Sequence, residues 1–317
     1  MTVQQHSGNN NADIAAADLQ VRVMLVVLTL IWGLTWPAMK IALNEMPPFS
    51  TRALTAGVGA VTLVIICLVL RRSFRVVHAR DWAHIIMASL LNIVAFSLFS
   101  AFAQVSAVTS RVAILTYTMP IWSVPLAWIV LRERPSRLQA SAMALCVVGL
   151  AVLVRPLAVD HIPIGLLFAV ASGFSWAAGT VYLKWARMTG DPMGMAVWQL
   201  LIGFVVVAAC LFVFEGGFHL QHTRADGLLS IAFVGIVGNG VAYALWFAVV
   251  PRVPAATASL GVLGAPMIGV ISAVLMLGDR PTTNDIVGFT LIFAATACVL
   301  LFPSRAVDTP MPQEGPV

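Results

Sequence analysis

Of the 317 residues, 60% are apolar and only 10% are charged, where a soluble domain has about half and about a quarter. Such a chain could not cover its own surface in water, so an ordinary soluble enzyme or binding module is excluded. The 18 Lys and Arg against 13 Asp and Glu leave +5, spread over short links between apolar stretches, which reads as a topology signal and not as a nucleic-acid patch.

The chain opens on a polar segment, Met1 to Gln20, with no Lys or Arg before Arg22, so it lacks the basic start of a signal peptide and its first apolar stretch is expected to stay as a helix. A helix needs about 20 apolar residues to cross the hydrocarbon layer. Runs of that length fall at roughly 22–43, 49–70, 83–104, 107–130, 137–154, 163–183, 193–214, 228–249, 255–277 and 284–302, separated by links too short for domains. The pattern predicts an all-α integral membrane protein with about ten transmembrane helices. A polar, Pro-rich tail follows, with the composition of a disordered segment. Placing the N-terminus in the cytoplasm puts 12 of the 18 basic residues on that side, Arg71, Arg72, Arg75, Arg132, Arg134 and Arg137 among them, and an even helix count returns the C-terminus there.

In the first helix Trp32, Trp36 and Lys40 recur every four positions and form one stripe; Ser172, Trp176 and Thr180 repeat it in the sixth. Such stripes could wall a central cavity, or the tryptophans could belong to interfacial belts. Lys40 and Arg52 flank the first external link, and Arg111 opens the fourth helix; each could snorkel to the interface or attract an anionic substrate. Asn92, Tyr117, Thr118, Gln199, Asn239 and Tyr243 lie well inside apolar runs and must face protein or a wet cavity, because an unpartnered polar group in lipid costs several kcal/mol. Pro120 and Pro266 occupy matched places in the fourth and ninth helices, where each should kink its helix. The four cysteines, Cys67, Cys146, Cys210 and Cys298, stand singly in apolar stretches as small core residues.

The second half of the chain echoes the first. Trp32-Gly33-Leu34-Thr35-Trp36 aligns with Ser172-Gly173-Phe174-Ser175-Trp176 at offset 140, and Gly57 with Gly203, Pro120 with Pro266 and Arg134-Pro135 with Arg280-Pro281 at offset 146. Collinear matches with little drift point to a duplicated five-helix unit. An odd helix number forces the copies into opposite orientations, as in secondary transporters built around a midplane site. The boundaries expected are a cytoplasmic segment 1–21, repeats 22–157 and 158–303, and a cytoplasmic tail 304–317.

Four stretches carry a resemblance: LIWGLTWPAMKIAL in the first helix, LTYTMPIWSVPLAWIVLRERPS at the fourth, and GIVGNGVAYALWFAVVPRVPAATAS and LGVLGAPMIGVISAVLMLGDRPT at the eighth and ninth. In order and spacing the chain resembles the drug/metabolite transporter superfamily, in its ten-helix EamA-type branch, over about 22–303. The resemblance implies two inverted five-helix repeats around a central cavity and secondary transport, commonly export, of amino acids or other small metabolites. It also singles out Glu133 and Asp279 as acidic positions after the fourth and ninth helices, while Arg52-Ala53 departs from the Arg-Phe pair frequent in that branch.

No catalytic pair, metal-ligand set or cofactor loop appears; GNGVAY lies in a membrane span without a preceding strand and is no dinucleotide loop. No Asp, Glu or His falls in mid-span, so a buried carboxylate switch has no support, and facilitated diffusion, exchange, or coupling through Glu133 and Asp279 stay open. The reading is a secondary active or facilitative transporter of the inner membrane, exporting an amino acid or related compound by alternating access. Its partners are the bilayer and a small-molecule substrate, with no cofactor and no nucleic acid; proton or counter-substrate coupling and a homodimer stay open. The alternatives are a multidrug or a sugar or nucleoside transporter, and a membrane receptor or assembly subunit.

Overall fold

The computed structural model describes residues 3–132, 134–154, 163–218, 220, 223–249 and 264–301, and among them every regular element is helical. Ten rods follow one another: α1 (Val3–Glu45), α2 (Pro48–Val69), α3 (Ala79–Ser106), α4 (Thr109–Leu131), α5 (Arg137–Val154), α6 (Ile164–Ala186), α7 (Pro192–Phe214), α8 (Ala225–Val249), α9 (Gly264–Leu277) and α10 (Thr283–Leu301). The first eight are long and apolar enough to cross a membrane; α9 and the Thr283–Ala295 part of α10 are shorter apolar helices. Positions 255–263 of the expected ninth segment, with Gly261, lie outside the described residues, as does Glu133. α1 runs back to Val3, and its membrane-crossing part, Leu19–Glu45, agrees with the expected run; the stretch from Ala12 to Ala17, with four alanines, has the helix propensity to extend that rod.

The rods pair as a two-fold exchange of the repeats demands. α1 packs on α8 and α9, and α6 on their counterparts α3 and α4; α2 packs on α8, and α7 on α3. The pairs α2 with α7 and α5 with α10, which the exchange maps onto themselves, are also in contact. Five antiparallel helices per copy leave the two copies inverted. In lipid the packing gain comes from close backbone approach, which small residues permit. Gly33 sits against Ala265 and Ile268 of α9, and its repeat partner Gly173 against Leu115 and Thr116 of α4.

Helix starts repeat as well. Ser136 and Gln139 exchange bonds ahead of α5, Ser136 N–H donating to Gln139 Oε1 at 2.8 Å and Gln139 N–H to Ser136 Oγ at 3.2 Å. Thr282 and Asp285 do the same at α10, at 2.8 and 3.3 Å. Both are capping boxes, which satisfy the otherwise orphaned first N–H groups. α2 and α7 both open with Pro at the first turn. The free N–H groups of α7 donate to Asp191 at its own N-cap; those of α2, on Phe49 and Ser50, donate at 2.8 Å to Glu215, which follows α7.

Three departures from regular helix matter for the site. α4 is interrupted at Tyr117 and Thr118, between Thr109–Thr116 and Met119–Leu131, directly ahead of Pro120, whose nitrogen has no hydrogen for the Thr116 carbonyl. Pro266 is the third residue of α9 as described, and Pro37 lies inside α1. α3 and α8 each contain a π-helical stretch, Leu90–Ala95 and Phe233–Val241, and each stretch carries an asparagine, Asn92 or Asn239. At the end where Arg residues cluster, α2, α4 and α6 finish on Arg71, Arg132 and Arg187, all with positive φ. A cation there complements the helix dipole, while the left-handed backbone costs a side-chain-bearing residue about 1 kcal/mol.

Candidate functional site

Trp36 of α1 is buried and meets Tyr117 at the break of α4, ring centroids 6.3 Å apart. Its carbonyl accepts 2.9 Å from the Gln104 amide nitrogen of α3. One turn on, the Lys40 ammonium donates to the Gln104 carbonyl at 2.5 Å, where the last carbonyls of α3 have no helical partners. α1, α3 and α4 thus bring Trp36, Lys40 and Tyr117 together with Gln104, a residue outside both stripes. Its signal was present: Ser97, Ser100 and Gln104 are spaced by three and four and form a polar stripe on an otherwise apolar helix. Lys40 also lines a cleft of about 410 Å³ with Asn44, Ser106, Thr109, Leu277 and Asp279, opening at the end of the bundle away from the Arg cluster.

That end is held by charged bonds between the repeats. Arg111 grips Asp285 through two bonds, Nε to Oδ1 at 2.7 Å and Nη2 to Oδ2 at 2.8 Å, and Asp285 is 3% exposed. Asp279 accepts the Ser110 N–H at the first turn of α4 at 2.8 Å. Arg111 therefore neither snorkels nor faces an open cavity; it ties α4 to α10. Arg52 of α2 donates through Nη2 to Ser100 Oγ at 2.8 Å, and its Nε is enclosed without a partner.

The other expected residues are distributed around the bundle. Trp32 packs on Trp246 of α8 with centroids 5.5 Å apart. Trp176 lies 4.9 Å from Phe96 of α3, and Thr180 is exposed, its hydroxyl donating to the Trp176 carbonyl at 2.8 Å. Asn92 is buried where α3 meets Gly179 of α6, with Oδ1 unpartnered; Asn239 donates to the Thr55 carbonyl of α2 at 3.0 Å, beside Gly59. The Gln199 carbonyl of α7 accepts from Ser89 of α3 at 2.6 Å. Tyr243 stacks on Phe247 at 6.3 Å in a cluster with Leu63, Cys67 and Ile93. Thr118 is buried and returns its hydroxyl to the Leu115 carbonyl at 2.7 Å.

The EamA-like transporter family model matches residues 21–155 and again 163–301. The chain is 27% identical over 277 residues to an uncharacterized transporter, YoaV, of Bacillus subtilis, covering 86% of this chain and 94% of that protein. A probable amino-acid metabolite efflux pump of Salmonella typhimurium is 24% identical, over 86% of this chain and 91% of the relative. A crystal structure superposes with TM-score 0.65 at 21% identity, covering 90% of this chain and all of the other, which supports the fold. Two family matches in tandem, on two inverted five-helix repeats that span a membrane many times, place the chain in the EamA-like transporter family: it is a multi-pass membrane transporter and not an enzyme.

Proposed function

We propose that the protein exports an amino acid or a related metabolite by alternating access across a bacterial inner membrane, with both termini in the cytoplasm. The observation that carries the mechanism is the exchange pairing: α1 on α8 and α9 mirrors α6 on α3 and α4, so two near-equivalent packings of the same elements are available. The Arg-rich end, bearing Arg71, Arg132 and Arg187, takes the cytoplasmic side by the positive-inside bias. A relative bearing the name of a probable amino-acid metabolite efflux pump supports the substrate class and the direction. Trp36, Tyr117 and Lys40 line the route with Gln104, and Trp176 lines it in the second repeat.

Uptake of a radiolabelled amino-acid panel into proteoliposomes tests this, comparing wild type with Trp36→Ala and Trp176→Ala under an imposed proton gradient. Saturable uptake reduced by both substitutions in folded protein is the expected result. Uptake of no panel member would sink the amino-acid reading and turn the search to drugs, sugars and nucleosides.

A further inference from the structure

We propose that Arg52 and the polar stripe of α3 form a head-group subsite for a zwitterion, Arg52 taking the carboxylate and the Gln104 side-chain oxygen taking the ammonium. This deepens the transport reading above and rests on it for the route.

Arg52 sits one turn inside α2 and is turned inward, since its hydrogen-bond partner Ser100 is only 1% exposed. The guanidinium has five N–H donors and keeps its charge, so a bundle interior must give it an anion or leave it costly. Among the described residues none of the ion pairs includes it. The described carboxylates at this end have other partners: Glu45 accepts from the Arg224 N–H at 3.2 Å, and Asp226 lies 3.5 Å from the Arg224 guanidinium. Glu215 accepts from Phe49 N–H, Ser50 N–H and Ser50 Oγ, all within 2.8 Å; Asp279 accepts from Ser110, and Asp285 holds Arg111 and Thr282. Ser100 takes one N–H of Nη2, and Nε is enclosed without a partner. A carboxylate matches that unpaired N–H in charge, as Asp285 meets Arg111 through Nε and Nη2.

The complementary unpaired acceptor lies one helical turn along α3. Ser100 and Gln104 are four apart on α3, so they share a face with Cβ atoms about 5–6 Å apart. The Trp36 carbonyl can only accept, so the Gln104 amide must offer it nitrogen; Gln104 Oε1 is then an acceptor, and it is buried with no partner. An unpaired donor on a cation that meets the stripe at Ser100, and an unpaired acceptor one turn along it, suit the carboxylate and ammonium that an α-amino acid carries on one carbon.

The test follows thermal unfolding of the purified full chain in detergent with propionate, with L-alanine and with ethylamine, alongside flux of the amino-acid panel. Wild type is expected to be stabilised by propionate and L-alanine and not by ethylamine, with Arg52→Gln raising the half-saturating concentration at least tenfold and Arg52→Lys raising it less. Equal responses of wild type and Arg52→Gln, including no response in either, overturn the subsite. Should Arg52→Gln fail to fold, Ser100→Ala decides: a severalfold weaker propionate response supports the subsite and an unchanged one refutes it. Carboxylate binding lost in Arg52→Gln without flux of any amino acid in wild type would refute the transport reading and leave the subsite standing. Amino-acid flux that Arg52→Gln leaves unchanged would do the reverse.

Discussion

The Asp285 carboxylate offers the sharpest structural test, because one residue closes the capping box of α10 and grips Arg111 of the other repeat. Asp285→Asn keeps an oxygen for the Thr282 N–H, so most of the cap survives and the loss isolates the ion pair. Breaking a buried pair by removing one charge costs about 3–5 kcal/mol. The Arg111 side chain is 20% exposed, so water recovers part of its solvation, and the expected loss is about 2–3 kcal/mol, a shift of roughly 30–150-fold in the folding equilibrium. Arg111→Met and the double variant complete a thermodynamic cycle, read by SDS-titrated unfolding in mixed micelles followed by far-ultraviolet circular dichroism. A coupling of about 2 kcal/mol is expected for contacting charges. Coupling below about 0.5 kcal/mol would refute the assignment, since independent sites add within that margin.

Ser136→Ala at the matching box of α5 should cost about 1 kcal/mol, the ordinary value of a lost helix cap, with no coupling to Arg111 in the same unfolding assay. Glu215→Ala, which leaves the Phe49 and Ser50 N–H groups without their acceptor, should cost about 1–3 kcal/mol, and Glu215→Gln less, because an amide oxygen can still accept. A methyl group on Gly173 would lie 2.6 Å from the Thr116 oxygen, so Gly173→Ala must push α6 from α4 and should lower stability by about 1–3 kcal/mol. Arg132→Gly removes a side chain from a left-handed backbone at φ 59° and should raise stability by up to about 1 kcal/mol, unless the lost charge at the helix end offsets it. Chemical or thermal unfolding of each variant measures these directions.

The ten apolar runs predicted the rods because bilayer thickness ties span to length, and the two capping boxes, Ser136 with Gln139 and Thr282 with Asp285, stand directly after the Arg-Pro pairs that match at offset 146. Those boxes were themselves legible as Ser or Thr followed three positions later by Gln or Asp ahead of an apolar run. Glu215 was not legible as a cap, because its partners Phe49 and Ser50 are some 165 positions away and no local pattern names them. The π-helical stretches left no mark in apolar periodicity, and the contacts of the asparagines within them, Asn239 with Thr55 of α2 and Asn92 with Gly179 of α6, are tertiary. Lys40 read as a cation at a helix end that could snorkel or attract an anionic substrate; the carbonyl that it finds belongs to the finishing turn of α3, a tertiary fact. Trp32 and Trp36 read as one stripe, of a cavity wall or of an interfacial belt; the helices that they meet, α8 through Trp246 and α4 through Tyr117, are again a tertiary fact.

The break in α4 gives these bonds a mechanical meaning. Its first piece, Thr109–Thr116, packs between α6 and α9 and is tied to the second repeat by Ser110 to Asp279 and by Arg111 to Asp285. Its second piece, Met119–Leu131, packs on α6 and α5 and takes part in neither bond. Tyr117 and Thr118 keep bonds to the Ala113 and Leu115 carbonyls, 3.2 Å each, but Pro120 offers the Thr116 carbonyl no N–H, so a change of angle at this point would leave the charged contacts intact. Opening the cleft beside Lys40 by parting Arg111 from Asp285 would cost about as much as the loss worked out above, whereas states that interconvert readily differ by only a few kcal/mol. On the proposed alternation, the cheaper path carries the first piece of α4 with α9 and α10 and bends at Tyr117, which moves the ring that faces Trp36 and leaves the ion pair intact.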